Sequence, residues 1–251
     1  NQPWPYVFIM VIPFMALWAP ATLDLKSARL PVTKLVAALW IIAVVFGFAR
    51  NVTYLQNDNR AALDTIRQAE SLLAPGETYF DGMGMLPNFY ESQRRWLDAR
   101  QVHIANTEGD QSDIMQKLRA TPPHLIIDNY RIYNLTDLLK PFLEHSYVRV
   151  APNILMPGVR LRESGDTEYV VPLAQEFAVY DQSGKPAEVT IRVDGNLITG
   201  PIRLTPGTSR IGIATDTRAE GPFFLLPAGK SFSRLDPAPK PVALFFGVYI
   251  L

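Results

Sequence analysis

The sequence predicts an α/β plus β protein: two N-terminal transmembrane helices, then a small Rossmann-like α/β domain, then a small β-sandwich. Three observations predict this fold class. Two charge-free apolar segments stand near the N-terminus, helix and strand patterns alternate over residues 57–150, and short strands without helical patterns follow residue 165. The predicted domains are a membrane segment at 1–50, an extracytoplasmic α/β domain at 51–163 and a sandwich-like domain at 164–251.

The second apolar segment carries the stronger membrane prediction. Residues 35–49 contain no charge and stand between Lys34 and Arg50. Counted from Pro31, with Lys34 snorkelling, the segment has the roughly 17–25 residues that a bilayer crossing needs. We therefore expect residues 31–49 to span a membrane.

The first apolar segment, residues 4–19, is also charge-free but contains Pro13. It has neither the basic start nor the small-residue cleavage site of a signal peptide. Two interpretations stay open. The segment is the tail of a larger membrane domain, or it is one complete short helix kinked at Pro13.

The loop between the apolar segments predicts the orientation. It carries Lys26, Arg29 and Lys34, and short loops rich in Lys and Arg stay on the cytoplasmic side. Arg50 is one positive charge on the opposite side. We expect a bacterial inner (cell) membrane protein whose residues after about 50 are extracytoplasmic, or periplasmic, and membrane lipid as a partner.

Composition excludes several functional classes. The 24 Lys and Arg residues balance the 24 Asp and Glu residues, so no basic block suits a nucleic acid partner. The chain has no cysteine, which excludes disulfides, thiolate zinc sites and a cysteine nucleophile. Its three histidines lack metal-ligand spacing, so we expect no metal and no cofactor.

The α/β domain is predicted from apolar spacing and from capping residues. Helical stripes are predicted at residues 63–73, at 85–99 with a start nearer Asn88, at 114–118 and at 135–143. Strands are predicted at 78–80, 101–105, 124–128 and 147–150. Strands separated by helices indicate a mostly parallel sheet with crossover helices.

The predicted sandwich consists of short alternating strands joined by turns rich in Gly, Pro and Asp. These strands lie at 176–180, 188–193, 202–204, 209–213 and 223–226. The last apolar segment, residues 242–251, is predicted to be a closing strand. A truncated third membrane helix is the alternative, because the segment stops at the last residue.

Two loops are candidate ligand sites. Asp81-Gly82-Met83-Gly84 follows a strand, the place where α/β folds bind phosphates, although a tight turn that needs positive φ explains the same glycines. Tyr130 and Arg131 follow the strongest strand; Arg131 is suited to an anionic group or to a carboxylate of its own domain. The candidate ligand-binding residues are therefore Asp81, Tyr130 and Arg131, and no catalytic residue is identified.

Three stretches resemble the C-terminal part of bacterial C-type membrane glycosyltransferases, the relatives of protein mannosyltransferases and of the lipid A aminoarabinose transferase. They are residues 79–87, residues 122–131, and residues 189–195 with 201–207. The order of parts is also similar: membrane helices, a small extracytoplasmic α/β domain and then β structure.

The resemblance implies transfer of a sugar from a polyprenyl-phosphate carrier to a glycan or protein acceptor at the outer face of the membrane. In that family the catalytic acid lies in a loop after the first membrane helix, and this chain has no equivalent loop. The alternative function is a non-catalytic, membrane-anchored module that binds saccharide or protein. A soluble dinucleotide enzyme is a third reading, which the broken glycine pattern at Pro87 disfavours.

Overall fold

The structure, a computed structural model, describes residues 41–42, 45, 60–93, 97–162, 165–214 and 221–238. All the elements below belong to the compact unit that begins at Asn59. The helices are α1 (Arg60–Leu72), α2 (Ala99–Glu108), α3 (Asp113–Ala120), α4 (Tyr130–Tyr133) and α5 (Thr136–Ser146), with a 3₁₀ turn at Gly109–Gln111.

A mixed five-stranded sheet forms the first half of this unit. Its strands are β1 (Thr78–Phe80), β2 (Tyr90–Glu91), β3 (Leu125–Ile127), β4 (Tyr147–Ala151) and β5 (Ile154–Pro157), in the spatial order β2-β1-β3-β5-β4. β2 and β3 both run parallel to β1, whereas β5 is antiparallel to β3 and to β4. The turn at Pro152-Asn153 joins β4 directly to β5, which makes that pair antiparallel.

Two hydrophobic cores cover the two faces of this sheet. On one face Phe80, Ile126 and Leu155 pack against apolar residues of α2, α3 and α5. On the other face Tyr79 and Ile127 pack with residues of α1 and with residues of the following β region. The sheet is therefore buried on both sides, as its continuous apolar strands require.

The second half of the unit is a β-sandwich of two four-stranded sheets. Their orders are β10-β9-β12-β7 and β11-β8-β13-β6. The strands are β6 (Val159–Leu161), β7 (Asp166–Val171), β8 (Gln175–Tyr180), β9 (Thr190–Val193), β10 (Asn196–Thr199), β11 (Ile202–Leu204), β12 (Gly207–Ile213) and β13 (Phe223–Pro227). Inward residues of both sheets share one core, which includes Tyr169, Phe177 and Ile191.

The predicted fold class is wrong. The described part of the chain is mostly β, with three sheets and thirteen strands, and the Rossmann-like sheet is mixed instead of parallel. Among the residues that the structure describes, no helix has the length and apolar character needed to cross a membrane. The predicted membrane segments 4–19 and 31–49 lie outside those residues except at 41, 42 and 45, as does the predicted strand at 242–251.

Two local predictions in the first half are also wrong. The segment 85–99 was expected to be helical, but within its described residues a turn leads into strand β2, and the helix begins only at Ala99. The segment 101–105 was expected to be a strand and lies inside α2. Asp98 and Gln101 form a reciprocal capping box at the start of this helix.

Candidate functional site

The carboxyl ends of β1 and β3 meet at a point where the chain leaves the sheet in opposite directions. β1 leads to β2 on one side, and β3 leads through α4 and α5 to β4 on the other. In open α/β sheets, ligands bind in the crevice at such a point. We call the surface formed by Asp81, residues 91–93, Asp128, Asn129 and the β4–β5 turn at 152–153 the carboxyl edge.

Asp81 is fully buried at this edge, and its carboxylate organises the loop that follows it. Its Oδ1 accepts hydrogen bonds from the N–H groups of Met83 (2.7 Å) and Gly84 (2.8 Å), and its Oδ2 accepts one from Met85 (2.8 Å). Burial raises the pKa of Asp81, and the three N–H groups act in the opposite direction. Because its lone pairs are used within the loop, Asp81 is a positioning residue.

The loop after Asp81 is the tight glycine turn, one of its two predicted alternatives. Gly82 and Gly84 have φ of 66° and 74°, and a Cβ on Gly82 would lie 2.6 Å from Cδ1 of Leu97. The N–H groups of Met83 and Gly84 already donate to Asp81. They are therefore not directed at a phosphate, which argues against the other alternative.

Glu91 lies beside Asp81 and was not found from the sequence. Its Oε1 accepts a hydrogen bond from the N–H of Gly82 at 2.8 Å, and its carboxyl group lies near enough to that of Asp81 for the two charges to interact. Burial first, and then the charge of Asp81, raise the pKa of Glu91 to about 7. Near neutral pH this half-buried group therefore both donates and accepts hydrogen bonds.

Asn129 connects the two predicted loops. Its Nδ2 donates to the main-chain carbonyl of Asp81 at 2.9 Å. Its Oδ1 accepts from the N–H groups of Arg131 (2.8 Å) and Ile132 (3.3 Å), which caps the short helix α4. The structure thus brings Asp81 and Arg131 to the same edge through Asn129.

Arg131 is half-buried, and its guanidinium donates to the main-chain carbonyl of Leu97. It thereby holds the chain at the start of α2 against the carboxyl edge. Tyr130 is the first residue of α4, and its side chain lies outside what the structure describes. Of the three predicted site residues, Asp81 and Arg131 therefore make structural contacts at this edge.

Several buried polar atoms of the carboxyl edge have no hydrogen-bond partner among the residues that the structure describes. They are Oγ of Ser92, both amide atoms of Gln93 and Oδ1 of Asn153. Gln93 is only 6% exposed and Asn153 only 3%. Buried polar groups are nearly always paired, and leaving one unpaired costs about 1–3 kcal/mol. The described part of the chain thus leaves these atoms without the partners that buried polar groups nearly always have.

An ion pair fixes the other end of the carboxyl edge. Nη2 of Arg149 lies 2.8 Å from Oδ2 of Asp128, and Nη1 donates to the carbonyl of Pro152 at 2.8 Å. Asn153 donates to the carbonyl of Asp128 at 3.1 Å. These contacts tie the end of β3 to the β4–β5 turn, so the unpaired Oδ1 of Asn153 is held in a defined position.

Metal ligation finds no support at this edge. Within the described ranges, no three His, Cys, Asp or Glu side chains are grouped closely enough to hold a metal ion. His124 lies at the opposite end of the sheet, where its Nδ1 accepts from the N–H of Thr78 at 3.2 Å. The carboxyl edge offers hydroxyl, amide and carboxyl groups, and this chemistry suits a hydroxyl-rich ligand.

Two family models match parts of the chain, and both describe domains of unknown function. DUF7056 matches residues 104–156 and DUF7055 matches residues 159–227. No curated protein and no solved structure is significantly similar to the chain. The two matches meet between β5 and β6, and the second one spans the strands of the sandwich from β6 to β13.

Proposed function

We propose that this chain is the C-terminal portion of a bacterial membrane glycosyltransferase that moves a sugar from a polyprenyl-phosphate carrier to a glycan or protein acceptor. The support from the sequence is the resemblance at residues 79–87, 122–131, 189–195 and 201–207. The support from the structure is that residues 79–87 and 122–131 meet at the carboxyl edge. The catalytic loop lies outside this chain.

One observation carries a saccharide-binding role: the unpaired, buried hydrogen-bonding atoms of Ser92, Gln93 and Asn153. A primary amide offers two donors and two acceptor lone pairs in one plane, which matches neighbouring hydroxyl groups of a sugar. Glu91, with a pKa of about 7, adds a carboxyl group that donates or accepts. These groups suit a polyhydroxylated ligand at this edge.

The carboxyl edge binds and does not catalyse in this proposal. The carboxylate of Asp81 is used by three N–H groups of its own loop, so it is not free to act as a base or nucleophile. The guanidinium of Arg131 is engaged with Leu97. The described unit would hold the saccharide part of the donor or acceptor for a catalytic acid elsewhere in the whole protein.

We further propose that the unit works at the outer face of the bacterial cell membrane, where lipid-linked donors are used. The support comes from the sequence alone. The apolar segments indicate contact with membrane lipid, and Lys26, Arg29 and Lys34 in the short loop between them favour a cytoplasmic loop.

The test uses membranes from cells that express the complete gene product. They are incubated with labelled polyprenyl-phosphate pentoses and hexoses, and the loss of label from each carrier is followed. We expect time-dependent transfer from at least one donor, absent with empty-vector membranes. Gln93→Leu is expected to raise KM with little change in kcat, whereas Gln182→Leu, an exposed turn residue, changes neither.

A second candidate, a non-catalytic saccharide-binding module, is favoured by the same unpaired atoms. It predicts that every donor stays intact with the complete protein while saccharide still binds and Gln93→Leu weakens this binding. Inert donors combined with no saccharide binding would contradict both candidates.

A further inference from the structure

A cavity of about 690 Å³ lies where α5 meets β6 and β7. These two strands are edge strands of the two different sandwich sheets, so the cavity opens at one side of the sandwich. No residue of the carboxyl edge lines it. Its volume falls in the range of about 300–1,000 Å³ that is typical of small-molecule sites.

Two arginines, Arg160 in β6 and Arg162 directly after it, give this cavity its positive side. Val159, Arg160, Leu161 and Arg162 all line it; the two arginines are exposed, and Val159 and Leu161 are buried in the sandwich core. Alternation along β6 and the residue after it therefore turns both arginine side chains away from that core. Arg160 pairs with Asp236 at 3.3 Å, and Arg162 forms no hydrogen bond or ion pair with the described part of the chain. A free guanidinium suits a carboxylate or phosphate in bidentate geometry.

The other side of the cavity offers hydrogen-bond acceptors. Glu144 lies in the last turn of α5, and Glu168 and Thr167 lie on β7. Oγ1 of Thr167 is buried and has no hydrogen-bond partner within the described ranges of the chain. The two carboxylates oppose the binding of a simple anion, but they accept hydrogen bonds from hydroxyl groups. The lining therefore fits a molecule that carries one acidic group and several hydroxyls.

We propose that this cavity binds a sugar unit that carries a carboxylate or phosphate group. Arg162 binds the acidic group, while Glu144, Glu168 and Thr167 bind the hydroxyls. The inference goes beyond the proposed function, because it assigns a second saccharide site whose ligand is charged. It does not require that the protein transfers sugar.

The test is a calorimetric titration of the full chain with galacturonic acid, glucose 6-phosphate, glucose and inorganic phosphate. We expect both acidic sugars to bind at least about tenfold more tightly than glucose or phosphate. Arg162→Gln should lower the affinity for both acidic sugars about tenfold. The matched control Arg203→Gln, on an exposed position of β11 that does not line the cavity, should bind like wild type. Thr167→Val should lower the affinity for glucose 6-phosphate more than the affinity for inorganic phosphate.

Each contrary result overturns a defined part of the inference. In the Gln93→Leu variant, glucose binding as tightly as galacturonic acid would show that the acidic group plays no part at this cavity. If inorganic phosphate bound as tightly as glucose 6-phosphate, the sugar ring would contribute nothing to binding, and the ligand would not be a saccharide. If the Arg162→Gln and Arg203→Gln variants bound the acidic sugars equally and had matching thermal unfolding curves, the ligand would not bind in this cavity. If no probe bound at all, the proposal would be wrong. The loss of affinity caused by Arg162→Gln should be the same with and without Gln93→Leu, which separates this site from the carboxyl edge.

Discussion

The side-chain amide of Asn129 donates to the main-chain carbonyl of Asp81 across 2.9 Å and thereby joins the ends of β1 and β3. The same side chain caps α4 by accepting from the N–H groups of Arg131 and Ile132. One buried residue thus sets the distance between the two loops of the carboxyl edge. A change at Asn129 acts on the sheet and on the helix together.

Asn129→Ala is expected to lower the free energy of unfolding by about 2–4 kcal/mol, because it removes a helix cap and leaves a buried carbonyl unpaired. Urea unfolding followed by circular dichroism measures this loss. Asn134→Ala, an exposed position at the other end of α4, is the matched control and should stay within about 0.5 kcal/mol of wild type. Equal losses in the two variants would show that Asn129 does not connect the loops.

The Arg149–Asp128 ion pair is expected to stabilise the folded protein more than an exposed ion pair with a similar N–O distance. Its side chains are 19% and 22% exposed, whereas those of Arg119 and Asp110, also 2.8–2.9 Å apart, are 51% and 64% exposed. Arg149→Met should cost about 1–3 kcal/mol, because it leaves Asp128 unpaired, and Arg119→Met should cost less than about 1 kcal/mol. Chemical unfolding of both variants measures the two losses in the free energy of unfolding and shows which is larger. A larger loss for Arg119→Met would contradict the assignment.

The raised pKa of Glu91 predicts a pH dependence of stability. The pKa rises from an ordinary 4.5 to about 7 in the folded protein, so between these values the folded state holds more protons than the unfolded state. Stability is therefore expected to fall as the pH rises from about 4.5 to about 7, by about 1–3 kcal/mol.

Glu91→Gln should flatten this part of the stability curve, because the amide does not titrate. Thermal unfolding at several pH values measures the slope. Glu188→Gln, an exposed position before β9, serves as control and should keep the wild-type slope. A Glu91→Gln curve as steep as the wild-type curve would mean that Glu91 is not responsible. Burial raises the pKa of Asp81 as well, so its carboxyl group contributes a slope of the same sign in both variants.

The absence of cysteine makes the proposed location directly testable. Glu108 is exposed at the end of α2, so Glu108→Cys gives this chain one accessible thiol, and its labelling is compared with that of the complete protein without the substitution. A membrane-impermeant maleimide is expected to label this variant in intact spheroplasts of a bacterial host that expresses the complete protein. Labelling that appears only after the cells are opened would place the unit in the cytoplasm and contradict the proposed location.

β1 and β3 are predictable from the sequence, because short apolar segments are bounded by turn residues there. The prediction is wrong at residues 101–105, where Val102 and Ile104 suggest a strand. In the structure Val102 and Ala105 are buried and Ile104 is 39% exposed, which is helical spacing. The decisive signal was the Asp98–Gln101 capping box, a local pattern that was present in the sequence.

Other features depend on contacts that no local pattern contains. β2 is only two residues long and exists because it pairs with Thr78 and Tyr79 of β1. Glu91 enters the site through this pairing, so spacing alone could not identify it. The antiparallel direction of β5 likewise follows from its turn and its partners. Asp81 and Arg131 were found because they follow strands, but their buried contacts, which decide their roles, are properties of the tertiary structure.

The most direct test of the saccharide-binding claim is Gln93→Leu, measured for both stability and binding. Its amide is buried without a partner, so leucine is expected to keep or raise the free energy of unfolding, by up to about 1 kcal/mol, while saccharide affinity at the carboxyl edge falls about tenfold. Stability that drops while saccharide binding is unchanged would show that Gln93 serves folding, and it would contradict a ligand site at this edge.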